Sequence, residues 1–120
     1  MRALIAGIAL GLAAASPAAA FSEGDWVLAQ WKGGEYWFPG VVESASGGKV
    51  TVAFDDGTRE TRPSNQVRDY DWRVGSKVEC NWKGQGWYRG KITALSGEKL
   101  SIAYDDGDKE NTKTGRCRSN

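Results

Sequence analysis

Two adjacent carboxylates follow an apolar run at two places in the sequence, in VAFDDG (residues 52–57) and in IAYDDG (residues 102–107). Paired carboxylates serve in acid–base catalysis and in metal binding. Neighbouring residues in a turn point apart, however, and the sequence contains no His to act as a proton partner. A Ca²⁺ or Mg²⁺ site needs further oxygen ligands at a fixed spacing from such a pair, and the sequence shows none. We therefore expect no catalytic residue, no metal site and no cofactor.

The two motifs belong to an internal duplication. Residues 24–33 align with residues 75–84, and residues 35–70 align with residues 85–120, with one gap opposite Gly34. Sixteen of the 46 aligned pairs are identical. A repeat of this length indicates two structural units of about fifty residues each.

Repeat 1 (residues 21–70) and repeat 2 (residues 71–120) both read as short β-strands separated by turns that contain Gly. Apolar residues alternate along residues 27–31, as in a half-buried strand. The Asp-Gly pairs predict hairpin turns, and the mid-strand Gly40 and Gly90 predict sharp bends. Five short strands in fifty residues predict an all-β unit that closes into a small antiparallel barrel. The predicted strands of repeat 1 cover residues 25–31, 37–44, 49–54, 58–62 and 66–69, with a turn at 63–65, and repeat 2 follows the same plan from residue 77 to about residue 119.

The first twenty residues have the composition of a secretory signal peptide. Arg2 precedes an apolar and small-residue run over residues 3–15, and residues 18–20 are three alanines, which have the small-x-small form of a cleavage site. The apolar run is too short to span a bilayer, which takes about twenty residues. We therefore expect cleavage after Ala20, export to the periplasm or the medium, and no membrane span in the mature chain.

Cys80 and Cys117 are the two cysteines of the chain. They align with Ala29 and Val67 of repeat 1, on the predicted first and last strands. Those strands are neighbours when a sheet closes on itself, and an even number of cysteines in an exported protein favours a disulfide. We predict a Cys80–Cys117 disulfide that stabilises repeat 2 by about 2–4 kcal/mol. The alternative is two buried thiols that pack as small hydrophobes.

The charge is distributed unequally between the two halves of the mature chain. Residues 21–71 carry five basic and nine acidic side chains, a net charge of −4, whereas residues 72–120 carry ten basic and six acidic ones, a net charge of +4. Two interpretations remain open at this point. Either the halves attract each other or are simply solvated, or repeat 2 binds a polyanion, including nucleic acid, through its basic side chains.

Aromatic residues recur in both repeats in the same order and at the same spacing. Repeat 1 has Trp31, Tyr36, Trp37, Phe38, Gly40 and residues 54–57, and repeat 2 has Trp82, Trp87, Tyr88, Gly90 and residues 104–107. This pattern resembles a Tudor or agenet domain, and the tandem arrangement is similar to the tandem Tudor readers of methylated lysine. The resemblance covers essentially all of the chain after residue 20. It implies two tandem SH3-like (Tudor-type) antiparallel barrels.

In that family, a Trp after the first strand, aromatic residues of the second and third strands, and the second Asp of the turn line a cage for methylated lysine. Aromatic faces attract a methylated or quaternary ammonium by cation–π interaction, and a carboxylate at the rim adds charge and a hydrogen-bond acceptor. The resemblance implies one cage of Trp31, Phe38, Phe54 and Asp56, with Tyr36 as a further candidate, and a second cage of Trp82, Tyr88, Tyr104 and Asp106.

The sequence thus predicts an exported, non-enzymatic binding module. Its partner would be a protein or a small cation that carries a methylated or quaternary ammonium group, bound through the aromatic cages. One alternative is a module that binds a polyanion or nucleic acid through the basic repeat 2. The other is a structural adaptor of the cell envelope whose aromatic residues face another protein.

Overall fold

The computed structural model describes residues 21–120, and the predicted signal peptide lies outside the described residues. Within them, strands account for most of the chain and are joined by turns and by single-turn 3₁₀ helices. No helix among residues 21–120 is long and apolar enough to cross a membrane. The strands of repeat 1 are β1 (Trp26–Gln30), β2 (Trp37–Ser46), β3 (Lys49–Phe54), β4 (Arg59–Pro63) and β5 (Val67–Asp69). Those of repeat 2 are β6 (Lys77–Asn81), β7 (Trp87–Ser96), β8 (Lys99–Tyr104), β9 (Lys109–Lys113) and β10 (Cys117–Arg118). The 3₁₀ turns are Trp31–Gly33, Ser64–Gln66, Trp82–Gly84 and Thr114–Arg116.

Each repeat forms one five-stranded antiparallel sheet. The order is β4-β3-β2-β1-β5 in repeat 1 and β10-β6-β7-β8-β9 in repeat 2, so the first and last strands of each repeat are paired neighbours. The long second strand of each repeat pairs with one strand through its first half and with the next through its second half. A register shift at Glu43 in β2 and at Thr93 in β7 bends these strands around the core. The predicted all-β fold of two tandem SH3-like barrels is confirmed.

The two mid-strand glycines are required by close packing. A Cβ atom on Gly40 would lie 2.6 Å from the Val52 side chain and 2.7 Å from the Ala53 carbonyl oxygen. A Cβ atom on Gly90 would lie 2.6 Å from the Ala103 carbonyl oxygen. The third strand therefore crosses directly over each glycine, which is how the bent second strand reaches both of its partners.

The alternation of apolar residues places the core as predicted, with one exception. Val27 and Ala29 point into the core of repeat 1, but Trp31 lies beyond the end of β1, in the 3₁₀ turn, and is 39% exposed. Leu28, on the opposite face of β1, is fully buried in the core of repeat 2 against Trp72. A single strand of repeat 1 thus contributes to both hydrophobic cores.

The predicted disulfide is confirmed. Cys80 and Cys117 lie directly opposite each other on β6 and β10, and their sulfur atoms are 2.04 Å apart. Ala29 and Val67 occupy the same opposed positions on β1 and β5 of repeat 1. The covalent bond therefore replaces a small apolar pair at an equivalent place in the duplicated fold.

Backbone and side-chain contacts hold the two repeats against each other. Trp37, at the start of β2, exchanges two backbone hydrogen bonds with Ser119, at N···O distances of 2.7 and 2.9 Å. The buried hydroxyl of Thr114 donates a 2.6 Å hydrogen bond to Oδ2 of Asp55. Burial nevertheless raises the pKa of the Asp55 carboxyl above its usual value, and this effect outweighs the Thr114 hydrogen bond, which lowers it.

The segment that joins the repeats is packed as part of this contact. Tyr70 lies between Trp26 and Trp72, with ring centroids 5.5 and 5.7 Å away. Burial, together with the charges of Asp55 and Asp71, raises the pKa of Tyr70 to about 12. The Trp72 indole N–H donates to the Ser119 hydroxyl at 3.2 Å. The linker is thus fixed by aromatic packing and by a buried hydrogen bond.

Candidate ligand-binding site between the repeats

The four residues of the first predicted cage line one cavity of about 500 Å³. Trp31 is placed by the 3₁₀ turn after β1, Phe38 by β2, Phe54 by the end of β3, and Asp56 by the hairpin turn that follows. The Trp31 and Phe38 ring centroids are 6.2 Å apart, and Phe54 is buried at 5% exposure. The structure therefore brings together residues that are separated by up to 25 positions in the chain.

The opposite wall of this cavity comes from repeat 2. The Trp87 ring meets Phe38 edge to face, with a centroid distance of 6.2 Å and an interplanar angle of 85°. Trp87 thus supplies a further aromatic ring to a site whose other rings belong to repeat 1. The complete lining from repeat 2 is Asn81, Trp87, Gly115, Arg116 and Arg118.

Asp56 supplies the negative charge at the cavity rim. Its Oδ1 atom accepts hydrogen bonds from the backbone N–H and the hydroxyl of Thr58, at 2.9 and 2.7 Å. These contacts fix the orientation of the exposed carboxylate. The other oxygen, Oδ2, accepts no hydrogen bond from residues 21–120 and is available to a ligand.

Arg118 is held by aromatic and ionic contacts at the other side of the cavity. Its guanidinium lies 3.7 Å from the Tyr36 ring centroid and 4.1 Å from that of Trp87. Its Nε atom is 3.0 Å from Oε1 of Glu79. Tyr36, the further cage candidate, therefore packs against Arg118 and does not line the cavity.

A lysine lies over the first tryptophan of each cage. Lys32 Nζ is 4.8 Å from the Trp31 ring centroid, and Lys83 Nζ is 5.0 Å from that of Trp82. Both lysines have a left-handed backbone, with φ values of 54° and 47°, which is uncommon for a residue other than Gly. In repeat 1 the Lys32 backbone N–H donates to Glu60 Oε1 at 2.8 Å, which stabilises the turn.

The second predicted cage is an aromatic cluster within repeat 2. Trp82 and Tyr88 have ring centroids 6.5 Å apart, and Tyr88 and Tyr104 have theirs 6.4 Å apart. Tyr88 is 49% exposed. The Tyr104 hydroxyl donates a 2.6 Å hydrogen bond to Glu110 Oε1. Burial and this carboxylate raise the pKa of Tyr104, so its phenol stays protonated.

The rim of this cluster also carries its predicted carboxylate. Asp106 is exposed, and its Oδ1 atom accepts the backbone N–H of Asp108 at 3.0 Å. Asp106 therefore has the same turn geometry as its counterpart Asp56, whose Oδ1 accepts the N–H of Thr58.

A row of lysines crosses the outer face of repeat 2. In the sheet register, Lys77 lies opposite Lys91, and Lys109 follows beyond Ala103. All three lysines are exposed and none forms an ion pair within residues 21–120. Directly opposed like charges destabilise a sheet, and a bound polyanion would offset that cost.

Sequence reasoning did not identify the residues that repeat 2 adds to the cavity. One signal was available for Trp87, because Trp37 and Trp87 each precede a cage aromatic and must point to the opposite face of the strand. Each of these tryptophans contacts the other repeat. For Arg116 and Gly115 no local signal exists, since their role depends on how the repeats dock.

Within residues 21–120, no group of three or more His, Cys, Asp or Glu side chains is arranged to hold a metal ion.

Comparison with known proteins gives similar solved structures. No family model and no curated protein matches the sequence. The chain is similar to the crystal structure of ADCP1 tandem Agenet domain 3-4, with 19% identity, a TM-score of 0.40, and coverage of 83% of this chain and 80% of that one. It is also similar to the crystal structure of Arabidopsis thaliana AGDP1 AGD34, with 20% identity, a TM-score of 0.41, and coverage of 83% and 82%. Both likenesses concern the fold alone.

Proposed function

We propose that this protein is a non-enzymatic binding module that recognises a methylated or quaternary ammonium group in the cavity between its repeats. The observation that carries the proposal is the convergence of Trp31, Phe38, Phe54 and Asp56 on one cavity of about 500 Å³. Three aromatic rings with a carboxylate beside them suit a large, weakly hydrated cation. The cavity volume lies within the range of about 300–1,000 Å³ that is usual for small-ligand sites.

The contact with repeat 2 supports the same proposal. Trp87 packs against Phe38 and adds a further aromatic ring to the cavity wall. A methylated ammonium loses little hydration there, whereas an unmodified lysine loses more. The site therefore favours methylated over unmethylated cations.

The test is a titration of the purified protein, followed by tryptophan fluorescence, with a trimethyl-lysine peptide, its unmodified twin and choline. Saturable quenching by the methylated probes is expected. Trp31→Ala should weaken this binding about tenfold or more, because one cation–π contact in a desolvated site contributes up to about 2 kcal/mol.

Trp82→Ala is the matched control, since Trp82 occupies the same position in repeat 2 and lies outside the cavity. It should leave the quenching by choline almost unchanged. Because Trp82 packs against the core of repeat 2, urea unfolding is used to check that both variants are folded under the assay conditions. Equal loss of binding in both variants, or no response of the unmodified protein to any methylated probe, would contradict the proposal.

A second candidate function is supported by the lysine row on repeat 2. A polyanion such as double-stranded DNA would be bound there through its phosphates, with an affinity that falls steeply as salt rises. A Lys77→Gln/Lys91→Gln variant should bind a labelled DNA duplex more weakly and with a shallower salt dependence. Lys49→Gln in repeat 1 is the control. Equal binding by all three proteins at low salt would remove this candidate.

We also propose that the protein acts outside the cytoplasm. The N-terminal sequence and the Cys80–Cys117 disulfide support this placement, because disulfides persist in oxidising compartments. Fractionation of the producing cells, followed by N-terminal sequencing of the recovered protein, tests it. A mature chain that begins at Phe21 is expected outside the cytoplasm, and an uncleaved cytoplasmic chain would refute the placement.

A further inference from the structure

The cavity between the repeats carries charges of both signs at its rim. Asp56 lies on the repeat 1 side, and Arg116 and Arg118 lie on the repeat 2 side. Arg118 already has partners, because it is paired with Glu79 and packed between two aromatic rings. Arg116 is exposed and forms no ion pair within residues 21–120.

Arg116 is positioned by the backbone of the 3₁₀ turn Thr114–Arg116. Its guanidinium donates one long hydrogen bond, 3.4 Å, to the Asn81 carbonyl. A guanidinium has five N–H donors, so most of its hydrogen-bonding capacity remains open. The aligned residue in repeat 1 is the neutral Gln66, so this charge is a specific addition of repeat 2.

A simple ammonium ion would meet opposing forces in this cavity. The aromatic rings and Asp56 attract it, whereas Arg116 repels it because like charges in a partly desolvated site interact strongly. An anionic group on the same ligand would turn the repulsion into attraction. Guanidinium groups bind phosphate and carboxylate oxygens through paired, charge-assisted hydrogen bonds.

We propose that the ligand is a zwitterion, in which a short linker joins a quaternary ammonium to a phosphate or carboxylate group. The proposal rests on the function proposed above and extends it. The ammonium lies among Trp31, Phe38 and Phe54 beside Asp56, and the anion faces Arg116. A cavity of about 500 Å³ is large enough for a molecule of this size.

The test compares four probes on the purified protein by isothermal titration calorimetry: choline, phosphocholine, glycine betaine and inorganic phosphate. At least one of the two zwitterions should bind about tenfold or more tightly than choline, the gain expected of a charge-assisted hydrogen bond. The tighter of phosphocholine and betaine identifies whether the anion is a phosphate or a carboxylate. Phosphate alone should bind far more weakly.

The Arg116→Gln variant distinguishes binding of the ligand's anionic group from binding of its ammonium group. The variant should weaken zwitterion binding about tenfold, while choline binding stays equal or becomes tighter, because a repelling charge has been removed. Arg116→Lys should retain part of the zwitterion preference. Arg73→Gln is the control, since Arg73 is also an exposed basic residue, lies outside the cavity, and its loss changes the net charge by the same amount.

The outcomes distinguish this inference from the function on which it rests. If choline binds as tightly as both zwitterions, the zwitterion inference fails and the ammonium site stands. If Arg116→Gln weakens choline and the zwitterions equally, Arg116 has a structural role and the inference fails. If phosphate alone binds as tightly as phosphocholine, or if no probe binds, both proposals fail.

Discussion

The two copies of the Asp-Asp-Gly turn show what duplication retains and what docking changes. Asp56 and Asp106 have the same role, since each accepts the backbone N–H of the residue two positions ahead. Asp55 is half-buried and holds Thr114 of repeat 2, whereas Asp105 is exposed. The local sequence determines the turn in both repeats, but contact between the repeats determines what the first carboxylate does.

The outer faces of the two sheets differ in the same way. Positions that hold Trp26, Leu28 and Val41 in repeat 1 hold Lys77, Glu79 and Lys91 in repeat 2. The apolar set packs against the other repeat and its linker at Leu28 and Trp26. In repeat 2, Lys77 and Lys91 are both exposed. The docking face of repeat 1 has therefore become a charged surface in repeat 2.

No ion pair among residues 21–120 joins the two repeats. The three ion pairs among residues 21–120 each join residues of one repeat, as Arg59 with Glu43 and Arg118 with Glu79 illustrate. The contact between the repeats includes apolar packing, backbone pairing, the Thr114–Asp55 hydrogen bond and the stacking of Arg118 on Tyr36. The basic excess of repeat 2 is therefore not neutralised by ion pairs with repeat 1.

Leu28→Ala should produce the largest effect, because it opens a cavity where repeat 1 enters the core of repeat 2. A loss of about 2–5 kcal/mol in the free energy of unfolding is expected from buried large-to-small changes. Arg59→Ala, which breaks the exposed Arg59–Glu43 ion pair of repeat 1, should cost much less stability, because exposed ion pairs contribute little. Urea unfolding measures both, and equal losses would contradict the assignment of Leu28 to the contact between the repeats.

The second-largest loss of stability is expected when the disulfide is replaced by the residues of repeat 1, in the variant Cys80→Ala/Cys117→Val. The loop between the cysteines closes over 37 positions, and the lost constraint is expected to cost about 2–4 kcal/mol. The apolar pair keeps the packing that repeat 1 has at Ala29 and Val67. Oxidised and variant proteins are compared by urea unfolding, and equal unfolding midpoints would show that the bond adds no stability.

Gly115→Ala should affect the contact between the repeats and the cavity together. The added Cβ would lie 2.8 Å from the Asp55 carbonyl carbon and oxygen, so the repeats must shift apart at a cost of about 1–3 kcal/mol. Choline binding should weaken as the cavity walls separate. Gly34→Ala is the control, because its Cβ would lie an acceptable 3.4 Å from the Trp31 carbonyl oxygen. Unchanged binding in Gly115→Ala would separate the cavity from the contact between the repeats.

Asp55→Asn should have the smallest effect, with a distinctive pH dependence. The folded pKa of Asp55 is raised above its unfolded value, so the wild-type protein gains stability as the pH falls through the folded pKa, and the gain is complete below the unfolded value. Asn removes the buried charge and keeps an acceptor for Thr114. The variant should be slightly more stable at neutral pH and should lack this gain on acidification.

Thermal unfolding between neutral pH and about pH 3, which spans the unfolded pKa of Asp near 3.9, measures the difference. Asp105→Asn, the exposed counterpart, should leave the pH profile of the wild-type protein in place. A flat wild-type profile, or equal effects of the two substitutions, would refute the role of the Asp55 carboxylate in the contact.

The sequence predicts the strands and the disulfide because both depend on patterns that occur twice. The predicted third strand, residues 49–54, is the observed β3, and the predicted first strand, residues 25–31, differs from β1 by one residue at each end. The alignment of Cys80 with Ala29 and of Cys117 with Val67 identifies the paired positions from the sequence alone. The alternation of apolar residues and the turn-forming residues depend on local sequence, and both patterns occur in each repeat.

The cavity is only half predictable for a physical reason. The resemblance assigned Trp31, Phe38, Phe54 and Asp56, which one repeat positions by itself. Trp87 and the arginines enter because two folded units meet, and no periodicity in either repeat encodes their relative placement. The informative signal was a difference between the copies, since an apolar residue such as Leu28 aligned with Glu79 marks the face that is covered.

The Glu79–Arg118 pair also limits how far the duplication can be extended. A third unit that docked on repeat 2 as repeat 2 docks on repeat 1 would cover the position that corresponds to Leu28, which is Glu79. It would have to remove from water the part of the Glu79 and Arg118 side chains that is still exposed, 20% and 18%, and desolvation of an ion pair often exceeds its Coulombic gain. The ion pair thus disfavours a further unit docked on repeat 2 in the way that repeat 2 docks on repeat 1.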